Sequence, residues 1–459
     1  MTFHALAGLV ALNALLLVSG GALLWLARGW RTWLELARLG GLAYLSGVAA
    51  CGSVWTLLLV AGIPFSGWAL LLTPVAFLVV AILGGRALGR QRPHIGIAAV
   101  TSGTVVTAAG IAAAGVLLEA VFRASRLHGL YHWDAWEFWV PKAKAIYLFH
   151  ELDAYYFTAL PGAAYPPLVP ALDAAAFHFM GGLDVVTLHV QFWFLGAGFV
   201  WALVGLLSER VAPWILWPFV VIVLVTPRIG SRFVTPEADL LLDFLFVVAA
   251  ILVCFWLLDR QLWRLVMATV LLSGLVLTKR EGILLAGVVA AGALLASVRD
   301  WRRVWPALGA SIAAVALLGV PWRIWYVVQG VPGETSGSGL SGSNAARAWP
   351  ALHLALDVLF DSGLWGVIVP VAIGALIVAA IARADILVVY FGSTLALITI
   401  GGGWITWAIP DLPITTELGG NPIVRYMGAA TLLAAAATPV LLAEAWGRAE
   451  RADARRKQA

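Results

Sequence analysis

Four short stretches of this chain place acids and bases close enough together to do chemistry. The densest runs from His128 to Tyr147 and reads His-Gly-Leu-Tyr-His-Trp-Asp-Ala-Trp-Glu-Phe-Trp-Val-Pro-Lys-Ala-Lys-Ala-Ile-Tyr. Asp134 and Glu137 stand three apart, so an α-helix would bring both carboxylates to one face. Lys142 and Lys144 follow within reach of a bound anion. In the second stretch, Glu237 and Asp239 open an apolar run that holds Asp243 one turn further in. Capping accounts for the first two acids, because a helix N-terminus favours negative charge. It does not account for Asp243, since a carboxylate inside an apolar span is costly without a partner. The third stretch, Thr278-Lys-Arg-Glu-Gly282, sets Lys279, Arg280 and Glu281 between two short apolar segments. Such segments fall short of the bilayer thickness, which leaves these charges recessed and lining a cavity. Arg425 and Tyr426, at the start of the last apolar run, complete the set. A carboxylate can take a proton from an acceptor hydroxyl, and nearby cations can hold a phosphate and neutralise it as it leaves. The combination suits transfer from a lipid phosphate. His128 and His132 have the i, i+4 spacing of metal ligands but lack a third ligand, and they read as polar interfacial side chains. Cys51 and Cys254 both fall in apolar runs, which excludes a cysteine metal site and a disulfide framework.

The elements that position these residues follow from composition. Of 459 residues, 62% are hydrophobic and only 12% charged, about half the roughly 25% of a globular chain. A soluble protein of this size could not cover its surface with so few charges. The 23 tryptophans agree, because Trp collects at the membrane interface. The expected fold is an all-α polytopic membrane protein. Apolar stretches near 4–27, 40–61, 68–85, 95–119, 184–207, 238–258, 304–328, 358–381, 386–408 and 424–445, with shorter ones near 212–227, 264–278 and 282–298, make about thirteen transmembrane helices (range eleven to thirteen). The first does not read as a cleavable signal, since its basic residues, Arg28 and Arg31, follow it. Bases exceed acids in four short clusters: Arg28, Arg31 and Arg38; Arg86, Arg90 and Arg92; Arg299, Arg302 and Arg303; and the tail from Arg448 to Lys457. Thirteen crossings with the N-terminus outside put all four clusters and the C-terminus in the cytoplasm. The formal net charge of +5 is therefore an orientation signal and gives no reason to expect nucleic acid. On the outer side lie a large loop at about 120–183, a Gly/Ser-rich flexible loop at 329–357 and a third at 409–423. In the large loop, Trp133, Trp136 and Trp139 suit an amphipathic helix in the interface, with rings toward lipid and charges toward water. An interfacial helix with merely solvated charges accounts for the same residues. No internal repeat is visible, which weakens an inverted-repeat transporter reading.

Taken in order, these stretches resemble a GT-C type glycosyltransferase, the integral-membrane superfamily that includes protein O-mannosyltransferases and bacterial aminoarabinose transferases. Four matches carry the resemblance: Trp133-Asp134-Ala135-Trp136 running into Lys142-Ala143-Lys144-Ala145, then Tyr165-Pro-Pro-Leu168, Glu237-Ala-Asp239-Leu and Thr278-Lys-Arg-Glu-Gly282. Arg425-Tyr426 is a weaker fifth. The resemblance implies Asp134 as the leading catalytic carboxylate, with Glu137 and Asp239 beside it. Lys142, Lys144, Lys279, Arg280 and Arg425 are then the candidates for holding the donor phosphate, supported by Glu237, Asp243, Glu281, Tyr165 and Tyr426. It further implies a polyprenyl-phosphate-linked sugar donor, inversion at the anomeric carbon, and a lipid, glycan or protein acceptor on the outer face of a bacterial cytoplasmic membrane. Use of a divalent cation (Mg or Mn) varies across the superfamily, and no metal ligands are assigned. One departure stands out: relatives carry the catalytic loop after the first span, whereas here it follows the fourth. Residues 1–94 thus read as an added three-helix module, 95–446 as the catalytic core and 447–459 as a basic tail. Two other readings fit the same charges. An O-antigen polymerase or ligase would grip pyrophosphate mainly with arginines, and a secondary transporter or lipid flippase would use Lys279, Arg280, Glu281 and Asp243 as pathway charges.

Overall fold

Capping residues set the helix starts. Thr2, Thr32, Ser66 and Thr101 each accept a hydrogen bond from the backbone N–H three residues on, and each is followed by a long apolar run. The computed structural model describes residues 1–91, 93–95, 101–127, 129–130, 132–331, 346–408 and 423–458. It is 84% helix, with no strand among the described residues. The long N-terminal helices are α1 (Phe3–Ala27), α2 (Trp33–Val60), α3 (Gly67–Ala87) and α4 (Ser102–Ser125). A π-helical turn at Ala135–Trp139 then leads directly into α5 (Val140–Phe149), followed by α6 (Ala154–Ala159) and α7 (Leu168–Met180). The core continues through α8 (Val185–Leu207), α9 (Pro213–Val225), α10 (Pro227–Arg232), α11 (Ala238–Asp259), α12 (Leu262–Thr278), α13 (Glu281–Ala296) and α14 (Trp301–Val328). The last elements are α15 (Ala348–Leu359), α16 (Ser362–Trp365), α17 (Ile368–Ile381), α18 (Asp385–Ala408) and α19 (Ile423–Gln458).

Nine of these helices are long and apolar enough to cross a membrane among the described residues, or ten if α15–α16 and α17 count as one broken span. The chain is an integral membrane protein. Helices α9, α12 and α13, at 13, 17 and 16 residues, occupy the three shorter apolar stretches. The expected continuous span at 358–381 is corrected: the chain bends by 110° between Trp365 and Ile368. Asp361 accepts from the N–H groups of Gly363 and Leu364 to start a new short helix, and Gly366 ends it with a positive φ of 59°. The stretch 120–183 is also more than a surface loop. Helix α4 extends through its first residues, and α7 is buried along most of its length. Residues 332–345, about half of the expected outer loop 329–357, and residues 409–422, nearly all of the expected loop 409–423, lie outside the described residues; α15 starts inside the expected loop 329–357.

Helix α11 is the central post. It is apolar on all sides and buried from Ala238 to Leu257, as expected of a helix with neighbours all round. Phe244 stacks on Phe199 of α8 at 4.1 Å. Helices α1 and α2 pack onto this core through polar contacts as well as apolar ones. Asn13 Nδ2 donates to Gln191 Oε1 at 2.7 Å, and Tyr44 Oη donates to Asn13 Oδ1 at 2.5 Å. The scarce charges sort to the two ends of α11, about 30 Å apart by helix rise. Near Asp259, Arg210 pairs with that residue at 3.0 Å, while Arg38 and Arg264 reach Glu209 at 2.9 and 2.8 Å. Asp239 marks the opposite end.

The α1–α2 crossing depends on two glycines. A Cβ added at Gly47 would lie 1.8 Å from the Leu16 carbonyl oxygen, and one at Gly20 would lie 1.7 Å from that of Ala43. Backbones approach this closely only where side chains are absent. Gly47→Val is therefore expected to force the pair apart and cost at least about 1–3 kcal/mol of overpacking. A lowered melting temperature in detergent is the readout, and an unchanged one would contradict the crossing.

Candidate functional site

Helix starts and a helix break meet at the end of the bundle where α11 begins. Asp134 immediately precedes the π-helical turn, Asp239 lies in the first turn of α11, Lys279 sits in the break between α12 and α13, and Arg425 is in the first turn of α19. The Arg425 guanidinium is ion-paired with Asp134 and lies 3.5 Å from Asp239 Oδ2. Lys279 Nζ donates to Asp239 Oδ1 at 2.8 Å and lies 3.5 Å from Glu281 Oε1. Asp134, Asp239 and Lys279 are all buried, while Arg425 keeps 28% of its side chain exposed. Two carboxylates and two cations, drawn from four distant segments, thus form one alternating chain of charge. Such a chain is tolerable under burial because every charge has a partner of the opposite sign.

Aromatic residues wall this chain. The Lys279 ammonium sits 5.3 Å above the Tyr165 ring, which itself stacks on Trp139 at 5.4 Å. Tyr426 is hydrogen-bonded to Glu281. The turn Tyr165-Pro-Pro therefore does more than reverse the chain: it holds an aromatic face against the lysine. Beside the charge chain, His132 is ion-paired with Glu237. That hydrogen bond raises the His132 pKa against the opposing effect of burial, so the imidazolium form is favoured. A cavity of about 160 Å³ opens here, lined by His132, Arg228, Arg232, Glu237, Asp239 and Arg425 among others.

Arg228 and Arg232 are the residues that sequence reasoning passed over. They stand at i, i+4 on the six-residue α10, a signal available in the sequence but overshadowed by the acids just after it. Arg232 is nearly buried and pairs with Asp243 at 2.5 Å, which supplies the partner that a carboxylate inside a span requires. It reaches that position past Gly428 of α19, where an added Cβ would lie 2.5 Å from Arg232 Nη1. Half-buried Arg228 makes no side-chain hydrogen bond or ion pair among the described residues. It adds to the cavity a positive charge that Glu237 and Asp239 meet through space without a direct ion pair.

Of the expected site residues, Asp134, Asp239, Lys279, Arg425, Glu237, Glu281, Asp243, Tyr165 and Tyr426 come together. Four do not. Lys142 is fully buried, donates from Nζ to the Gly162 carbonyl at 2.5 Å and lies between the Phe138 and Phe157 rings. It holds the returning loop in place and is not presented to the cavity. Glu137 and Lys144 are half-buried, with no hydrogen bond or ion pair to the cluster among the described residues. The wider π turn spoils the shared face that α-helical spacing would give Asp134 and Glu137. Arg280 lies close enough to Arg323, at the end of α14, for their like charges to interact. The expected row of three lipid-facing tryptophans is corrected in one member: Trp133 and Trp136 are 52% and 48% exposed, but Trp139 is buried against Tyr165. His128 lies outside the described residues, and His132 is engaged by Glu237.

Among the described residues, no three His, Cys, Asp or Glu side chains are placed to hold a metal ion. The two nearest carboxylates, Asp134 and Asp239, are both engaged by the Arg425 guanidinium. The residues present do not fit a divalent-cation site. The chain matches no protein-family model, no curated protein and no solved structure.

Proposed function

We propose that this protein is a GT-C type membrane glycosyltransferase, moving a sugar from a polyprenyl-phosphate donor to an acceptor hydroxyl at the outer face of the cytoplasmic membrane. One observation carries the reading: Asp134, a carboxylate that could act as a base, is ion-paired with Arg425, which lines a cavity together with Arg228, Glu237 and Asp239 at the end of the bundle opposite the paired Arg-rich loops. The excess of bases over acids in those loops supports a cytoplasmic location for them and an outer location for this end.

The geometry supports a direct displacement. Asp134 takes the proton of the acceptor hydroxyl as its oxygen attacks the anomeric carbon from the face opposite the phosphate. The carbon–oxygen bond to phosphate breaks, and the polyprenyl phosphate leaves with the electron pair, giving inversion. Arg228, free of other pairing, and Arg425 neutralise the leaving dianion, a role for which guanidinium is suited by its fork of donors. Lys279 balances Asp239 so that the cavity does not repel its substrate. An apolar groove of about 370 Å³ between α12, α13 and α14 begins beside the same break, with Val276 and Ile283 on its wall and Arg323 at its rim. It offers the first isoprene units a path from the site into lipid.

The test is the purified protein in sealed liposomes with labelled polyprenyl-phosphate sugar and membrane acceptors. A new glycosidic bond is expected. Movement of label across the bilayer with no new bond would instead mark a transporter or flippase. Arg228→Ala should raise the donor KM by roughly 10- to 150-fold, the worth of a hydrogen bond to a charged group, without loss of membrane-inserted protein. An unchanged KM would remove Arg228 from the phosphate site.

A second reading is favoured by Arg228 and Arg232 standing together beside Arg425. Three guanidinium groups suit a diphosphate-linked donor, as in an O-antigen polymerase or ligase. Turnover of the diphosphate donor but not the monophosphate would select it.

A further inference from the structure

The opposite end of the bundle carries a second cavity that the transfer chemistry does not use. It measures about 670 Å³ and is lined by Arg28, Arg31 and Arg90 with Glu35 as its only acid, and by the rings of Trp30 and Trp263. Arg28 is ion-paired with Glu35. Arg90 donates to the carbonyls of Leu26, Ala27 and Arg28, closing the end of α1 without neutralising any charge. The Arg31 side chain is exposed and has no partner among the described residues. Three arginines against one glutamate leave the cavity net positive.

Arg31 and Glu35 also belong to the wall of a neighbouring groove of about 960 Å³. From that polar mouth the groove runs along α4 from Thr107 past Ile111 to Gly115 and Leu118, facing Trp201 and Val204 of α8. Its length along α4, twelve residues of helix from Thr107 to Leu118, is about 16 Å. The α4 wall is open to the bilayer, since only 11% of that helix's apolar window is buried. A cationic, tryptophan-edged pocket thus continues into an apolar trough of acyl-chain dimensions. The charges lie at one end of the trough, and the rest of its wall is mainly apolar.

We infer that this composite cavity is a binding site for an anionic glycerophospholipid. Its phosphate is held by Arg31 with Arg90, and an acyl chain lies along α4 between Thr107 and Leu118. Basic pockets between helix ends on the cytoplasmic side recognise anionic headgroups by charge, while the trough distinguishes a lipid from a free phosphate. The bound lipid would wedge α4 against α2 and α8 and tie the first two helices to the core. The assignment of the lipid site does not depend on the transferase reading.

Native mass spectrometry of the full chain, purified in mild detergent from membranes, tests it by identifying retained lipids. The wild type is expected to keep phosphatidylglycerol or another anionic glycerophospholipid through delipidation. Arg31→Ala should weaken retention by about five-fold, the contribution of one arginine near a membrane surface. Gly115→Leu tests the trough separately: Gly115 lines the groove, and a Cβ at that position meets nothing within 4 Å, so the added side chain starts from open space. It too should lower retention while leaving the detergent melting temperature of the delipidated protein unchanged. In nanodiscs, phosphatidylglycerol added to phosphatidylcholine should stabilise the wild type more than either variant. Equal retention by wild type and both variants would overturn the site. So would a retained polyprenyl phosphate in place of a glycerophospholipid, or stabilisation by inorganic phosphate alone.

Discussion

Asp134→Asn is expected to abolish sugar transfer in isolated membranes supplied with labelled lipid-linked donor, while the protein stays inserted at its usual level. The amide has the shape of the carboxylate and can still accept a hydrogen bond from Arg425, so packing around the site is preserved. It cannot take up the acceptor proton, and loss of a positioned general base removes about 10²- to 10⁴-fold of rate. Two features select Asp134 over Asp239 for this role. Asp239 is shared between Lys279 and Arg425, at 2.8 and 3.5 Å, which makes it an anchor for both cations. Asp134 is ion-paired with Arg425 alone among the described residues, and it belongs to the segment carrying the exposed Trp133 and Trp136, where an acceptor glycan or lipid would arrive. Donor affinity should fall far less than turnover in this variant, because Asp239 still holds Arg425 and Arg228 is untouched. A fall in donor binding with turnover intact would reverse the assignment. Normal turnover would sink Asp134 as the base.

Much of this site was legible in the sequence for a simple energetic reason. In a chain so poor in charge, each ionisable group near an apolar run needs a partner, and Asp134, Asp239, Lys279 and Arg425 found one another. What the sequence did not reveal is pairing at a distance and local helix geometry. Lys142 looked like a phosphate ligand because it follows Asp134 and Glu137 within reach of a bound anion, yet the Gly162 carbonyl twenty residues on captures its ammonium. Glu137 shared a face with Asp134 only under α-helical spacing, which the π turn replaces. Arg232 became recognisable only with Asp243 on the next helix and the gap left by Gly428. The all-helical fold followed from apolar runs and caps. The 110° break before α17 was hidden because Asp361 and Gly366 interrupt the run without ending its hydrophobicity.

Lys279→Met is expected to cause the largest loss of stability of any substitution at the site. The Lys279 and Asp239 side chains are 2% and 5% exposed and joined at 2.8 Å. Removing one member of a buried pair leaves the other uncompensated, at a cost of about 3–5 kcal/mol. The remaining partner of Asp239, Arg425, is 3.5 Å away and already committed to Asp134. Asp239→Asn should be harmful for the mirror-image reason, since it leaves an ammonium buried with only Glu281 nearby at 3.5 Å. The double variant Lys279→Met, Asp239→Asn removes both charges and should recover much of the lost stability, giving a strongly non-additive cycle when unfolding is followed in mixed micelles. Additive losses would show that the two residues act separately. Transfer distinguishes scaffold from chemistry in the same three proteins. If the pair serves only to hold α11 against the α12–α13 break, activity returns with the fold in the double variant. If it fixes Arg425 and the charge of the cavity, the double variant folds but stays inactive. The second outcome is expected, because Arg425 would then have lost one of the two carboxylates that hold it beside the donor phosphate.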